Sequence, residues 1–323
     1  MAIFKFNPIF KSLIWGGEKI APFKGVQTNQ KNIGESWELS GVAGSESVVA
    51  EGSLKGYSLP KLIDHLKEKL VGKENYKRFG NEFPLLIKFI DAREELSIQV
   101  HPDDKLSGER HGKKGKTEMW YVVDNDPGAK LRSGFSTAIT PEEYEQRIAN
   151  STITDVLSEF EVNKGDLFFL PAGRIHSIGA GCFIAEIQQT SDVTYRIYDF
   201  NRTDADGNTR ELHTELSKDA INYTVSNDYK GDYTAVKNEA VQLVSCDYFT
   251  THLYDIDTKM KCDYSEIDSF VVLMCVEGEV EVMDNDASKT TLKQGSTALI
   301  PATTRNITLS PKGNAKLLTS YIG

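Results

Sequence analysis

The sequence predicts a mainly β fold made of two β-barrels with a few inserted helices. Short apolar or alternating runs, among them 85–90, 119–123 and 271–283, are separated by glycine, proline, asparagine and aspartate. This pattern is typical of antiparallel sheets that close into barrels. A gapless internal similarity between 164–176 and 294–306 indicates that one barrel unit occurs twice.

Both copies of the similar segment read glycine, a polar residue, an apolar strand and then Pro-Ala. The glycine allows a tight turn, and the proline ends the hydrogen-bonded ladder. The alternative is a coincidental likeness of two strand-turn segments. A duplicated barrel explains the matching order of features with fewer assumptions.

Three helices are predicted to interrupt the strands. Apolar residues recur at helical spacing from Leu59 to Leu70 behind Ser58, which is a potential cap. The segment 140–143, Thr-Pro-Glu-Glu, has the form of a capping box. A third helix is predicted over about 211–223, whereas 105–116 is predicted to be a basic loop.

The composition excludes several classes of partner. Asp and Glu outnumber Lys and Arg by 47 to 37, giving a net charge of -10, so neither nucleic acid nor a membrane surface is expected as a partner. No apolar run is long enough to span a bilayer, and the first residues lack the apolar core of a signal peptide, so we expect a cytoplasmic protein. The four cysteines have no C-x-x-C spacing, which argues against a thiolate zinc site.

A candidate metal site is spread over three separated segments. Strand alternation places Gln99 and His101 side by side, and Glu118 begins a following strand that can return beside them. The alternative is that this polar strand face simply meets water. His176 favours the metal site, because it ends the first copy of the repeat at the position where the second copy has Asn306. Two imidazoles, a carboxylate and an amide oxygen suit zinc, with cobalt, nickel, manganese and iron left open.

Several motifs in a fixed order carry a resemblance to a known family. They are Ile14-Trp15-Gly16-Gly17, Lys88-Phe89-Ile90, the run LSIQVHPDD at 96–104, the run GKTEMWY at 115–121, the run PAGRIHS at 171–177 and the run SDVTYRIYD at 191–199. Together these segments resemble the compact bacterial form of the type I mannose-6-phosphate isomerases, which belong to the cupin superfamily. The resemblance implies two cupin (jelly-roll) barrels. We therefore predict a catalytic cupin domain at 1–230, with N-terminal strands and helical insertions, and a second cupin-like domain without metal ligands at 231–323.

The resemblance also implies which residues form the site. It implies one Zn²⁺ per chain, held by Gln99, His101, Glu118 and His176. The side chains that it places around a sugar phosphate are Lys88, Ser97, Lys116, Glu186, Asp192 and Arg196.

The implied reaction interconverts mannose 6-phosphate and fructose 6-phosphate through an enediol, which needs charge stabilisation on oxygen and one proton carrier. Arg196 and Lys116 are the candidates for charge stabilisation, and Glu186 and Asp192 are the candidates for the base. The phosphate is expected to meet some of Ser97, Lys88, Lys116 and Arg196, since cationic and hydroxyl donors suit its oxygens.

Two other functions are compatible with such a barrel. A cupin iron oxygenase would use two histidines and one carboxylate, and a non-enzymatic sugar-binding cupin would need no metal. A homodimer paired through sheet edges is left open.

Overall fold

Antiparallel strands make up most of the fold in the computed structural model, which describes residues 3–203 and 206–323. The strands are β1 (Phe4–Asn7), β2 (Ile9–Gly17), β3 (Ile33–Leu39), β4 (Val48–Val49), β5 (Leu85–Asp91), β6 (Ile98–Val100), β7 (Glu118–Asn125), β8 (Lys130–Phe135), β9 (Leu157–Glu161), β10 (Leu167–Leu170), β11 (His176–Ile178), β12 (Cys182–Gln189), β13 (Tyr195–Tyr198), β14 (Ala240–Ser245), β15 (Thr250–Ile256), β16 (Met260–Asp263), β17 (Val271–Glu277), β18 (Glu279–Asp284), β19 (Lys289–Lys293), β20 (Thr297–Ile300), β21 (Asn306–Pro311) and β22 (Ala315–Tyr321).

Short helices connect these strands. They are α1 (Ile20–Lys24), α2 (Leu59–Leu66), α3 (Glu68–Val71), α4 (Lys73–Phe79), α5 (Asp104–His111), α6 (Pro141–Ala149) and α7 (Thr214–Ala220), with a 3₁₀ turn at Ile153–Val156. No helix within the described ranges is both long and apolar enough to cross a bilayer.

The strands form four sheets. A six-stranded sheet has the order β10-β7-β12-β5-β3-β2, and a five-stranded sheet has the order β13-β6-β11-β8-β9. A seven-stranded sheet, β14-β15-β22-β17-β20-β1-β4, and a four-stranded sheet, β16-β21-β18-β19, contain all the strands that follow β13. The predicted mainly β fold is thus confirmed.

The two similar segments adopt the same local structure. Gly165 and Gly295 both have positive φ, at 94° and 79°. The N–H of Gly165 donates to the carbonyl of Val122 at 2.8 Å, and the N–H of Gly295 donates to that of Cys275 at the same distance. In each copy the turn is therefore hydrogen-bonded to the neighbouring strand in the same way.

Strands from the two halves of the chain meet in one sheet. Although β1 belongs to the first half, it pairs with β20, with Phe4 opposite Leu299. Phe83 and Phe270 pack with ring centroids 4.6 Å apart in a core cluster that contains side chains from both halves. The boundary at 230 and the two-barrel division stay predictions.

The predicted helices exist, with different bounds. The first is divided, because Lys67 with φ of 52° separates α2 from α3. The capping box at 140–143 is confirmed in part, since the Thr140 side chain accepts the N–H of Glu143. The loop prediction for 105–116 is wrong for its first part, which is helix α5, capped by the Asp103 side chain on the N–H of Leu106.

Candidate metal centre and adjoining cavity

A row of four side chains crosses the six-stranded sheet in register. Trp37, Lys88, Glu186 and Trp120 lie opposite one another on β3, β5, β12 and β7. Directly opposed residues of neighbouring strands project to the same face. Their contacts follow from this register: Lys88 Nζ lies 3.0 Å from Glu186 and 5.3 Å from the Trp37 ring, and Trp120 Nε1 donates to Glu186 at 2.8 Å.

A second row crosses the five-stranded sheet. Arg196, Gln99 and His176 lie opposite one another on β13, β6 and β11. His176 Nε2 lies 3.3 Å from Glu118, which begins β7 of the six-stranded sheet. The two rows therefore meet at His176 and Glu118.

His101, Glu118 and His176 offer ligand atoms that all lie within 4.8 Å of one another. It is the one such group of three or more His, Cys, Asp or Glu side chains in the described part of the chain. All three side chains are buried, with at most 2% exposure. The structure thus brings together three of the four metal ligands that the resemblance implied.

The protonation pattern of this group fits a cation. Nδ1 of His101 lies 3.0 Å from the carbonyl of Val193, and Nδ1 of His176 lies 2.8 Å from that of Arg174. A carbonyl only accepts, so each Nδ1 carries the proton and each Nε2 keeps a lone pair while the ring is neutral. Burial lowers the pKa of His101, and it lowers that of His176 to about 3. Both Nε2 atoms face the Glu118 carboxylate, at 3.6 and 3.3 Å, so three acceptor groups converge as they do around a divalent metal.

Gln99 and Lys116 complete the surroundings of this group. The amide nitrogen of Gln99 lies 3.3 Å from His176 Nε2, and rotation of the amide would present its oxygen there instead. Lys116 Nζ lies 2.7 Å from Glu118 and 3.0 Å from His101 Nε2. Burial, and next the charge of Glu186, raise the pKa of Glu118 to about 7.

A cavity of about 520 Å³ opens beside the metal-ligand group, and Gln99 and Lys116 line it. The other candidate residues that line it are Lys88, Ser97, Glu186, Asp192 and Arg196. The structure thus gathers every predicted substrate-binding and catalytic residue around one space. Their roles there stay predictions.

Lys88 and Glu186 are buried in this wall, with 6% and 2% exposure. Burial disfavours the charged form of both. For Glu186 this effect of burial is outweighed by the charges of Lys88 and Lys116, which lower the pKa of Glu186 to about 2. For Lys88 the effect of burial is outweighed by the carboxylates of Glu186 and Glu35, which raise the pKa of Lys88 above the ordinary value. Both groups are charged at neutral pH.

The other predicted residues differ in how accessible they are. Asp192 is exposed and forms an ion pair of 2.7 Å with Lys113. Ser97 is buried, with 4% exposure. Arg196 is half-buried, and its Nη1 donates to the carbonyl of Glu211 at 2.9 Å.

The cavity also contains residues that the sequence reasoning missed as site residues. Lys11, Trp15, Glu35, Trp37 and Arg210 line it. Strand alternation could have indicated four of these residues. Lys11 and Trp15 are an even number of positions apart on β2, as are Glu35 and Trp37 on β3, and residues spaced in this way project to the same face of a sheet. Nothing in the sequence singled out Arg210.

Comparisons with known proteins agree with this geometry. A family model of the phosphomannose isomerase type I catalytic domain matches residues 3–143, and one of the mannose-6-phosphate isomerase cupin domain matches residues 239–322. Mannose-6-phosphate isomerase ManA of Bacillus subtilis is 33% identical over 304 residues, which is 92% of each chain. The mannose-6-phosphate isomerase of Streptococcus mutans is 34% identical over 91% of this chain and 90% of its own.

A solved structure supports the same relationship. The crystal structure of the mannose 6-phosphate isomerase from Bacillus subtilis matches with a TM-score of 0.89 and 30% identity, over 100% of both chains. The predicted resemblance and the cupin fold are confirmed by these matches. The chain belongs to the type I mannose-6-phosphate isomerase family of enzymes.

Proposed function

We propose that this protein is a zinc-dependent mannose-6-phosphate isomerase that interconverts mannose 6-phosphate and fructose 6-phosphate through an enediol. The single observation that carries the proposal is the convergence of His101, Glu118 and His176 beside a cavity lined by cations. The curated relatives of matching length that carry this name support the choice of substrate.

The residues present fit one Zn²⁺ per chain. His101 and His176 would hold it through Nε2, Glu118 through a carboxylate oxygen and Gln99 through its amide oxygen. When bound, the metal supplies Lewis acidity that polarises the substrate's oxygens. Each imidazole is oriented by the hydrogen bond of its Nδ1 to a carbonyl, which fixes the tautomer needed for ligation.

Two cations of the cavity suit the negative charges of the substrate, in the enediolate and in the phosphate. Lys116 projects beside the metal-ligand group, and Arg196 extends from the strand that pairs with Gln99. We assign charge stabilisation to Lys116, which contacts Glu118, and assign Arg196 to the oxygens of the substrate's phosphate. Ser97 and Lys88 remain candidates for contact with substrate oxygens, although Lys88 is already paired with Glu186.

Two carboxylates remain candidates for the proton carrier. Glu186 has its pKa lowered to about 2 and is held by Lys88 and Trp120, which makes it a weak base and a good orienter of Lys88. Asp192 lies at the exposed side of the cavity. We therefore favour Asp192 as the base and expect Asp192→Asn to lower kcat more than Glu186→Gln does in folded protein.

The cysteines suit a cytoplasmic location for this activity. All four lie in the described ranges and are free thiols. Free thiols without disulfides are typical of proteins from reducing compartments. We propose the cytoplasm on this ground.

The proposed function is tested by incubating purified protein with mannose 6-phosphate and following fructose 6-phosphate, before and after chelation. The expected result is conversion that chelation abolishes and added zinc restores. No conversion by the metal-loaded protein would refute the isomerase, and conversion indifferent to chelation would refute the zinc requirement. Restoration by iron(II) alone, with oxygen consumption, would favour the oxygenase alternative.

A further inference from the structure

Asp199, which follows β13 and begins a tight turn, holds a second guanidinium group at the cavity, that of Arg210. The N–H of Arg202 donates to the carbonyl of Asp199 at 3.1 Å, and the two residues between them, Phe200 and Asn201, both have φ of 54°. Positive φ at both central positions defines a type I′ turn, which is unusual for a bulky residue such as phenylalanine. Such conformations persist only where the surroundings impose them, and they cluster at functional sites.

Asp199 is the anchor of this turn. Its carboxylate is buried, with 5% exposure. It accepts two hydrogen bonds from Arg210, from Nε at 2.7 Å and from Nη2 at 2.5 Å, and one from Arg202 at 2.5 Å. A bidentate contact of this kind fixes the plane and direction of a guanidinium. Arg210 is therefore held in one orientation at the cavity wall.

Four charged side chains that the structure describes in this corner do not balance one another. Arg196, Arg202 and Arg210 contribute three positive charges and Asp199 one negative charge, so the cluster carries a net charge of +2. Glu95, which contacts Arg202 through its main-chain carbonyl, has its carboxylate paired with Arg132 instead.

Arg196 forms no ion pair with a carboxylate of the residues that the structure describes. Its Nη1 donates to the carbonyl of Glu211, an exposed residue, and its Nε is a buried donor without a hydrogen-bond partner among the described residues. Burial, and next the charge of Arg210, lower the pKa of Arg196. Burial disfavours the charged form of Arg196, and the guanidinium of Arg210 at the same cavity adds to this effect.

We propose that Arg210 binds the phosphate of the substrate together with Arg196, and that Asp199 is the positioning residue that aims Arg210 into the cavity. The Arg196 guanidinium has a donor without a partner among the described residues, and the Arg210 guanidinium lines the same cavity, so the two together match the geometry and the double charge of a phosphate monoester. The inference rests on the proposed function, because it assigns the phosphate end of that same substrate. It makes Arg196, Arg210 and the anchoring Asp199 the residues that select phosphorylated sugars.

The test measures phosphate recognition separately from turnover. Arg210→Gln should raise KM for mannose 6-phosphate and the inhibition constant of inorganic phosphate together, by about 10- to 100-fold, the value of a lost charge-assisted hydrogen bond. Its kcat should change by less than about threefold, since the substitution leaves the metal-ligand group intact. Arg210→Lys keeps the charge but loses the planar, two-donor geometry of the guanidinium. Its KM and its inhibition constant should lie between those of the unmodified protein and those of Arg210→Gln. An unchanged inhibition constant in Arg210→Gln would overturn the inference.

The positioning role needs a separate measurement. Asp199→Asn should raise KM and leave kcat nearly unchanged, and Asp199→Glu should restore part of the loss. A fall in kcat with unchanged KM would contradict positioning. The matched control is Lys130→Gln, which removes an exposed cation paired with Glu159 away from the cavity and should change neither constant. Circular dichroism melting of every variant shows that it is folded.

The result also separates this inference from the proposed function. If the unmodified protein fails to convert mannose 6-phosphate, the proposed function fails. Titration calorimetry with inorganic phosphate still decides the inference, because binding to the unmodified protein must weaken in Arg210→Gln. No phosphate binding by the unmodified protein would overturn it.

Discussion

Lys88 and Glu186 lie directly opposite each other on β5 and β12, and their side chains form an ion pair of 3.0 Å on one face of the sheet. Because both are buried, loss of one partner leaves an uncompensated charge. We expect Lys88→Met to lower the free energy of unfolding by about 3–5 kcal/mol, measured by urea titration. The exposed pair of Lys130 and Glu159 is the control, and Lys130→Gln should lower the free energy of unfolding far less than Lys88→Met does. Equal effects of the two substitutions would contradict the importance of burial.

The same pair predicts a pH dependence of stability. The pKa of Glu186 is about 2 in the folded protein against an ordinary value of 4.5. A group with a lowered folded pKa stabilises the protein above its unfolded pKa, and this stabilisation is lost as the pH falls through the folded value. The difference in unfolding free energy between the unmodified protein and Glu186→Gln should therefore shrink between pH 4.5 and 2. A constant difference over that window would show that Glu186 is not stabilised as a carboxylate.

Metal content distinguishes the two copies of the repeat. His176→Ala should lose both bound metal and activity, because it removes one of three converging ligands. Asn306→Ala is the matched control at the equivalent position of the second copy, where the side chain is exposed. It should retain one metal per chain by elemental analysis. If both variants lose metal alike, the assignment of the site to the first copy is wrong.

The cavity wall depends on a glycine behind Trp15. A Cβ at Gly34 would lie 2.6 Å from Cζ3 of the Trp15 ring, so Gly34→Ala must displace a side chain that lines the cavity. We expect a loss of about 1–3 kcal/mol in stability and a lower kcat/KM. The control is Gly108→Ala in α5, where the nearest atom is 4.0 Å away. It should stabilise by about 0.5–1 kcal/mol and leave activity unchanged.

Sequence periodicity predicted much of the site because the spacing of two residues along a strand determines whether their side chains project to the same face. Gln99 and Lys88 project into the cavity as their strand positions require. The gapless repeat placed His176 just after a strand and a Pro-Ala turn, and the structure shows that residue at the start of β11, beside Gln99. These inferences needed only local pattern and one internal comparison.

Features that depend on long-range contacts were not predictable. Helix α5 has only Leu106 as a large apolar residue, so it shows no amphipathic pattern, and its start depends on the Asp103 cap. Arg210 is held at the cavity by Asp199, which begins a type I′ turn at Phe200 and Asn201, and phenylalanine does not normally signal such a turn. Long-range ion pairs leave no periodic trace in a sequence.

The pairing of Phe4 with Leu299 sets a constraint on the order of events during synthesis. At about 5–20 residues per second, the partner strand β20 leaves the ribosome roughly 15–60 s after β1. Throughout that interval the hydrogen-bonding edge of β1 that later joins β20 has no native partner. This edge of β1 is thus fixed long after its other edge can pair with β4, and a nascent chain released early would expose it to other chains.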